Sequence, residues 1–327
     1  MDFAQLKRFI AVVESGSLGK AADTLSLSQP GLSKSIRQLE AHFGEPLFYR
    51  DVKGMTSTEL GKAVYRRAKR VLAEWHQLES ERAAISGGLT GHITVGVARG
   101  TGFLGRVIPA ASARLSQSRY SVRLTVMSGV ARELVAALQL GALDFAIAPL
   151  DAIAGQADLV GETLFYDRCG LFVDANHPLA HSGALSIEQL TRYSWLYSTD
   201  VVSYYDALCA LAHSRGVVPR KTTINSNSVI YVGAATIGSS FIGILSMDSV
   251  EDHVIAGKLV EVVLKPSQRS QVSMAAVERP MGFLMRADTH LSEVASAMQR
   301  EIYALCPALG YPLLPRRTAR ANALVMR

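Results

Sequence analysis

Leu6, Phe9, Ile10 and Val13 recur at helical spacing near the start of the chain, and Gly16 then Ser17 supply a stop followed by the N-cap of a second helix. That second helix carries Lys20-Ala21-Ala22 and ends near Leu25, its alanines small enough for a close helix crossing. Ser28-Gln29-Pro30 opens a third. Ser28 caps it, and Pro30 sits in the first turn, where the missing N–H has no helical partner to lose. Leu32, Ile36 and Leu39 share one face of this helix, Gly31, Lys34, Arg37 and Gln38 point away, and Gln29 and Ser33 lie near its leading end. After Gly44-Glu45-Pro46, the stretch PLFYRDVKGMTST reads as an apolar strand, a Lys53-Gly54 turn and a return strand. Thr56-Ser57-Thr58-Glu59 places Thr and Glu three apart, a capping box opening a long helix that reaches about Ser86. Along it Val64, Ala68, Val71, Trp75, Leu78, Arg82 and Ile85 step by four and three, a heptad seam that predicts a dimeric coiled coil ended by Gly87-Gly88.

Beyond residue 90 the pattern alternates between strand and helix. ITVGVA from Ile93, a helix from about Phe103 to Leu115, SVRLTVM, a helix from about Ala131 to Leu140 and then DFAIAPL predict a βαβαβ half of an open sheet. A second unit of the same kind occupies roughly residues 167 to 267. The apolar run Val229 to Met247 is as long as a membrane span. It holds three glycines and three serines and breaks at Gly238-Ser239-Ser240, so it predicts a buried helix, a turn and a strand. The opening residues MDFAQLKRFI carry charges where a secretory signal is apolar, so no leader is expected.

Composition narrows the class. A chain of 327 residues that is 49% hydrophobic and 19% charged buries substantial cores, enough for two or three soluble globular domains. The net charge of +6 is uneven, since the first ninety residues and the last seventeen are basic while the middle is nearly neutral. Cys169, Cys209 and Cys306 are odd in number, far apart and without metal-ligand spacing, which fits a reducing cytoplasm and no metal site.

Two short helices joined by a tight turn, the second displaying Gln29, Ser33, Lys34 and Arg37, are what a helix-turn-helix needs for the major groove; a small helical bundle with a polar face is the competing reading. Seven basic residues between Arg50 and Arg70 against two acids favour phosphate contact beside it. Gly100, Gly102 and Gly105 spell G-x-G-x-x-G after a strand, the start of a dinucleotide fingerprint. The acid about 20 residues on that would hold the ribose is missing. Arg99-Gly100-Thr101-Gly102 therefore reads as a site for a carboxylate or other small anion at a helix N-terminus. Equivalent loop positions are Ser128-Gly129, Ser198-Thr199 and Asn227-Ser228. No nucleophile, metal-ligand or phosphate-loop motif competes, so no catalytic residues and no cofactor are expected. A winged-helix redox sensor, or an NAD(P)-dependent oxidoreductase using the Gly100-Gly102-Gly105 loop, is the reading from another class.

From Phe9 to Arg50 the chain reads FxxVxExGSLxxAAxxLxLSQPxLSxxIxxLExxxGxPLFxR, followed by Thr-x-x-x-Leu-Gly from Thr56, and this strongly resembles the N-terminal domain of LysR-type transcriptional regulators. The resemblance implies an α+β multidomain protein with an N-terminal winged helix-turn-helix (1–58) and a long linker helix (59–88). Next comes a two-lobed α/β effector domain like periplasmic solute-binding proteins, with lobe one at 91–165 and 268–305 and lobe two at 166–267. A basic tail (306–327) remains. Carried over, DNA contacts fall on Gln29, Pro30, Ser33, Lys34, Arg50 and Lys53, with lysine at 34 and 53 where the family often has arginine. It further implies double-stranded promoter DNA, a small carboxylate effector between the lobes, a homodimer or homotetramer, RNA polymerase as a further partner, no membrane and a cytoplasmic location.

Overall fold

A computed structural model of the protein describes residues 1–51, 54–85, 90–118, 120–219, 223–311 and 318–319. Helices α1 (Phe3–Ser15), α2 (Leu18–Thr24) and α3 (Gln29–Phe43) precede an antiparallel hairpin of β1 (Phe48–Asp51) and β2 (Gly54–Ser57). Asp2, Ser17 and Ser28 accept the amides of Gln5, Lys20 and Gly31, so each helix start is closed by a short polar side chain. Leu6, Phe9, Ile10, Leu32, Ile36 and Leu39 converge with Leu47 and Phe48 at the foot of the wing, which makes a winged helix-turn-helix with one core.

The long helix α4 (Glu59–Ile85) starts differently from expectation. Its cap is Thr58 and not Thr56: the Gly61 amide donates to the Thr58 hydroxyl at 2.9 Å, and that hydroxyl donates to the Pro46 carbonyl at 2.9 Å. With glycine third in the helix no side chain closes a capping box, and Glu59 pairs with Lys62 at 2.6 Å instead. Gly61 provides clearance, since a β-carbon there would overlap the Leu47 carbonyl. The heptad seam also divides. Val64 and Ala68, expected as dimer contacts, are buried in the head's own core because α1 packs across this part of α4. Val71, Trp75 and Leu78 stay 48%, 44% and 54% exposed.

β3 (Thr90–Ala98), α5 (Gly102–Ser116), β4 (Ser121–Gly129), α6 (Ala131–Gln139) and β5 (Phe145–Pro149) form the βαβαβ unit, with β3 parallel to both β4 and β5. One strand, β6 (Leu159–Asp174), then leaves this sheet and enters a second. The second lobe follows with β7 (Ala184–Leu185), α7 (Ile187–Leu190), β8 (Trp195–Ser198), α8 (Val202–Ser214), β9 (Thr223–Ser226) and α9 (Val229–Thr236). It closes with β10 (Ile242–Ser246), α10 (Met247–Ile255), β11 (Leu259–Leu264), α11 (Pro266–Arg269) and α12 (Met274–Val277). β12 (Glu278–Arg286) returns antiparallel to β6 and β5, and α13 (Glu293–Leu305) packs on α5. Strand order is β4-β3-β5-β12-β6 in the first lobe and β11-β6-β10-β8-β9 in the second, with β6 shared. The Val229–Met247 run forms a helix, a turn at Gly238 and a strand; among the described residues no helix is long and apolar enough to cross a membrane.

Two expected boundaries move. Val272 and Val277 pack into the second lobe's core, so the return to the first lobe falls at Glu278 and not at residue 268. The tail expected from residue 306 begins later, because Cys306 and Tyr311 are buried in the first lobe's core and β13 (Thr318–Ala319) pairs with Glu162 and Gly161 of β6. Arg316, Arg317 and Arg320 lie outside the described residues. Finally, α4 docks on the first lobe: Arg286 pairs with Glu74 at 2.9 Å, Arg70 pairs with Asp288, and Ala73 occupies the space a side chain at Gly141 would need.

Candidate DNA-reading face and effector cleft

On α3, Leu32, Ser35, Ile36 and Leu39 face the core, which turns Gln29, Pro30, Lys34 and Arg37 to solvent and leaves Ser33 half-buried. These five side chains, predicted to read DNA, are thus displayed from the first three turns of one helix. Arg50 lies on β1, its backbone paired with Met55, and Lys53 lies outside the described residues. The basic stretch that follows is only partly available. Lys62 pairs with Glu59, Lys69 with Glu14 at 2.9 Å and Arg70 with Asp288, whereas Arg66 and Arg67 are exposed.

Between the two lobes lies a cavity of about 430 Å³, bounded by the first lobe's loops after β3, β4 and β5, by the crossing strands, and by the start of α8 and α12. Arg99, Arg132, Asp151, Asp200, Tyr204 and Arg279 are its polar walls, and small apolar residues such as Ala98, Ala131, Ala152 and Ala276 fill the spaces between. At the crossing, the Arg279 guanidinium donates to the Asp167 carboxylate at 2.9 and 3.1 Å and to the Asp200 carbonyl at 2.9 Å, while Ser246 donates to the other Asp167 oxygen at 2.5 Å. Burial pushes the Asp167 carboxyl above its ordinary range against the pull of Arg279. Asp200 is also raised, first by burial, with Arg279 and Arg99 pulling the other way.

The expected glycine-loop site is organised otherwise. Thr101 is buried and its hydroxyl donates to the Ala98 carbonyl at 3.0 Å. The first-turn amide of α5 at Phe103 donates to Asp248 of the second lobe at 3.2 Å, and Asp248 is also held by Arg106 at 2.6 Å and by the Tyr311 hydroxyl. Arg106 pairs with Glu251 as well. The positive end of this helix therefore already holds a carboxylate, supplied by the chain itself. Gly102 has its missing side-chain space filled by the Asp248 backbone, and Gly100, at φ 84°, has its own filled by Val229. Gly100, Thr101 and Gly102 thus make a contact between lobes and leave no room for a nucleotide phosphate.

Of the other loop positions expected to touch ligand, only Gly129 lines the cavity. Ser128, Thr199 and Asn227 are exposed and do not line it, Ser198 is buried, and Ser228 caps α9 by accepting the Tyr231 amide at 3.2 Å. Arg132, Asp200 and Arg279 carried no local signal, because their meeting depends on two crossings of the chain. Arg99 belongs to the expected Arg99-Gly100-Thr101-Gly102 loop and lines the cavity. Burial pushes the Cys169 and Cys306 thiols up to about 12 and also raises Cys209, so thiolate chemistry is disfavoured at all three. Among the described residues no three His, Cys, Asp or Glu side chains are grouped to hold a metal ion.

A winged head on a long helix, joined to two α/β lobes around a charged cleft, is the architecture of a ligand-responsive DNA-binding regulator. Residues 3–62 match the family described as bacterial regulatory helix-turn-helix protein, lysR family, and residues 86–306 match the LysR substrate binding domain, so the chain belongs to the LysR family of transcriptional regulators. The family consists of regulators, not enzymes. The regulator GalR of Pseudomonas putida is 24% identical over 296 residues, spanning 90% of this chain and 71% of that protein. Full-length OxyR of Pseudomonas aeruginosa shares the fold with a TM-score of 0.66 at 20% identity, covering 92% of this chain and 94% of that one. CbnR in complex with its target DNA gives 0.60 at 19%, covering 93% and 99%.

Proposed function

We propose that this LysR-family regulator binds promoter DNA through Gln29, Pro30, Ser33, Lys34 and Arg37 of α3, and that a small carboxylate-bearing effector in the cleft between the lobes modulates that binding. The observation that carries the effector half is the open cavity of about 430 Å³ walled by Arg99, Arg132 and Arg279, a volume within the range of small-molecule sites. The DNA half is supported by the exposed polar face of α3 on an otherwise apolar core. Val71, Trp75 and Leu78 supply the exposed seam for a homodimer, two of which make a homotetramer, so that paired heads meet half-sites about one helical turn apart or a multiple of it. The protein acts in the cytoplasm, with RNA polymerase as its further partner.

Nuclease footprinting on the DNA flanking its own gene, at two salt concentrations, tests this reading. Protection of two half-sites that weakens with salt is expected, and Lys34→Ala lowers the slope of log affinity against log salt by roughly one. Protection that is insensitive both to salt and to Lys34→Ala would refute the assignment of α3 as the reading helix.

A further inference from the structure

The cleft carries charges of both signs that have no ion-pair partner among the described residues: Arg132 and the exposed Asp151 on the first lobe's side, and Asp200 on the second's. Arg132, in the first turn of α6 on the first lobe, has no carboxylate within ion-pair distance among the described residues, and neighbouring Arg99 reaches only Glu133, at 3.9 Å. Asp200, at the start of the second lobe's wall, has no cation within ion-pair distance among the described residues; its side-chain partner is the Ser198 hydroxyl at 3.5 Å. Arg279 is the remaining cation, and it is engaged by Asp167 and the Asp200 carbonyl. Tyr204 faces the same space, and its hydroxyl makes no hydrogen bond within the described chain.

A ligand that closes this cleft must satisfy both walls, because a charge desolvated without a partner costs more than most contacts return. A monocarboxylate pairs with Arg132 and Arg99 but confronts Asp200 across the cavity. A dicarboxylate does so twice. A purely cationic ligand fails at the opposite wall. Small apolar residues line the rest, leaving room for a short side chain without a charge of its own.

We propose that the effector is a small zwitterionic amino acid, its carboxylate taken by Arg132 and Arg99 at the first turn of α6 and its ammonium facing Asp200. This inference rests on the cleft being the effector site. The selection comes from Asp200 as much as from the arginines, since it repels the carboxylates that lack an amino group.

Calorimetric titration of the full-length protein with matched pairs tests it: L-alanine with L-lactate, L-leucine with L-leucic acid and L-phenylalanine with L-phenyllactate, with succinate and benzoate as plain carboxylates. At least one amino acid is expected to bind roughly tenfold or more tightly than its hydroxy twin. Asp200→Asn closes that gap, while Arg132→Gln weakens both members of the pair and preserves the gap; thermal melts confirm that each variant is folded. Hydroxy acids or plain carboxylates binding as tightly as the amino acids overturn the inference and leave the cleft as a carboxylate effector site. If no member of any series binds, and sugars, nucleosides and dicarboxylates also leave the footprint unchanged, the effector reading falls with it.

Discussion

Replacing Arg279 by Met is the sharpest test of how the two lobes are joined. Asp167 and Arg279 face each other on β6, which crosses between the lobes, and β12, which returns the chain to the first, and the Asp167 side chain is 0% exposed. Arg279→Met removes two charge-assisted hydrogen bonds to that carboxylate and leaves it only the Ser246 hydroxyl. Breaking a buried pair from one side costs about 3–5 kcal/mol. For an effector domain of this size that is roughly 6–20 °C in the melting temperature. The loss depends on pH in a defined direction. Burial already holds the Asp167 carboxyl above its ordinary value and removal of the guanidinium raises it further, so the variant is least impaired at low pH and loses stability as pH rises through the raised value. Replacing both partners, with Asp167→Leu added to Arg279→Met, removes the stranded charge and returns most of the stability. Differential scanning calorimetry of wild type, both single variants and the double variant, at pH 5 and pH 8, supplies the cycle. A single variant melting within about 2 °C of wild type, or a double variant as impaired as the two singles added, would show that this pair does not hold the crossing.

Asp248→Asn weakens the contact between lobes at the α5 N-terminus and is expected to cost about 1.5–3 kcal/mol in urea unfolding, because a nearly buried charged acceptor is lost to Arg106 and to the Phe103 amide. Gly61→Ala gains helix propensity but drives a β-carbon into the Leu47 carbonyl, so a net loss of about 1–3 kcal/mol and a weakened footprint are expected; an unchanged melt would refute the close approach. His177 accepts the Leu179 amide at 3.1 Å on Nδ1 and approaches the Ser240 carbonyl at 3.3 Å with Nε2, an arrangement that requires the neutral ring. Burial lowers its pKa, so the unfolded chain takes up the proton first, and this contribution is present above about pH 6.5 and is lost as pH falls through the lowered value. Urea midpoints measured from pH 7.5 to 5 show that slope in wild type and lack it in His177→Asn.

The head was legible because its determinants are local. Caps at Ser17 and Ser28, a glycine stop at Gly16 and apolar spacing within single helices act over three or four residues, and the structure keeps each of them. The same locality explains the misplaced cap. Thr56 and Glu59 satisfy the spacing of a capping box, but the Pro46 and Leu47 carbonyls, distant in sequence, recruit Thr58 instead. The heptad spacing of α4 marks one apolar stripe, but that stripe is divided, with Val64 and Ala68 serving the head's own core and Val71, Trp75 and Leu78 exposed. Periodicity reports that a face is apolar; it does not report what covers it.

The alternation of strands and helices after residue 90 likewise determined two α/β lobes, and the missing ribose-binding acid weakened the nucleotide reading of Gly100-Gly102-Gly105. Only the tertiary structure decided where the chemistry lies. The α5 N-terminus that should attract a ligand's carboxylate holds Asp248, which stands 145 residues from the amide it accepts. Arg99, Arg132, Asp200 and Arg279 become neighbours because β6 runs from the first sheet into the second and β12 brings the chain back to the first, which sets two loop ends face to face. Helix caps and apolar periods are short-range and so are written in the chain, whereas a binding cleft is made by long-range closure, and each of its residues alone resembles ordinary surface.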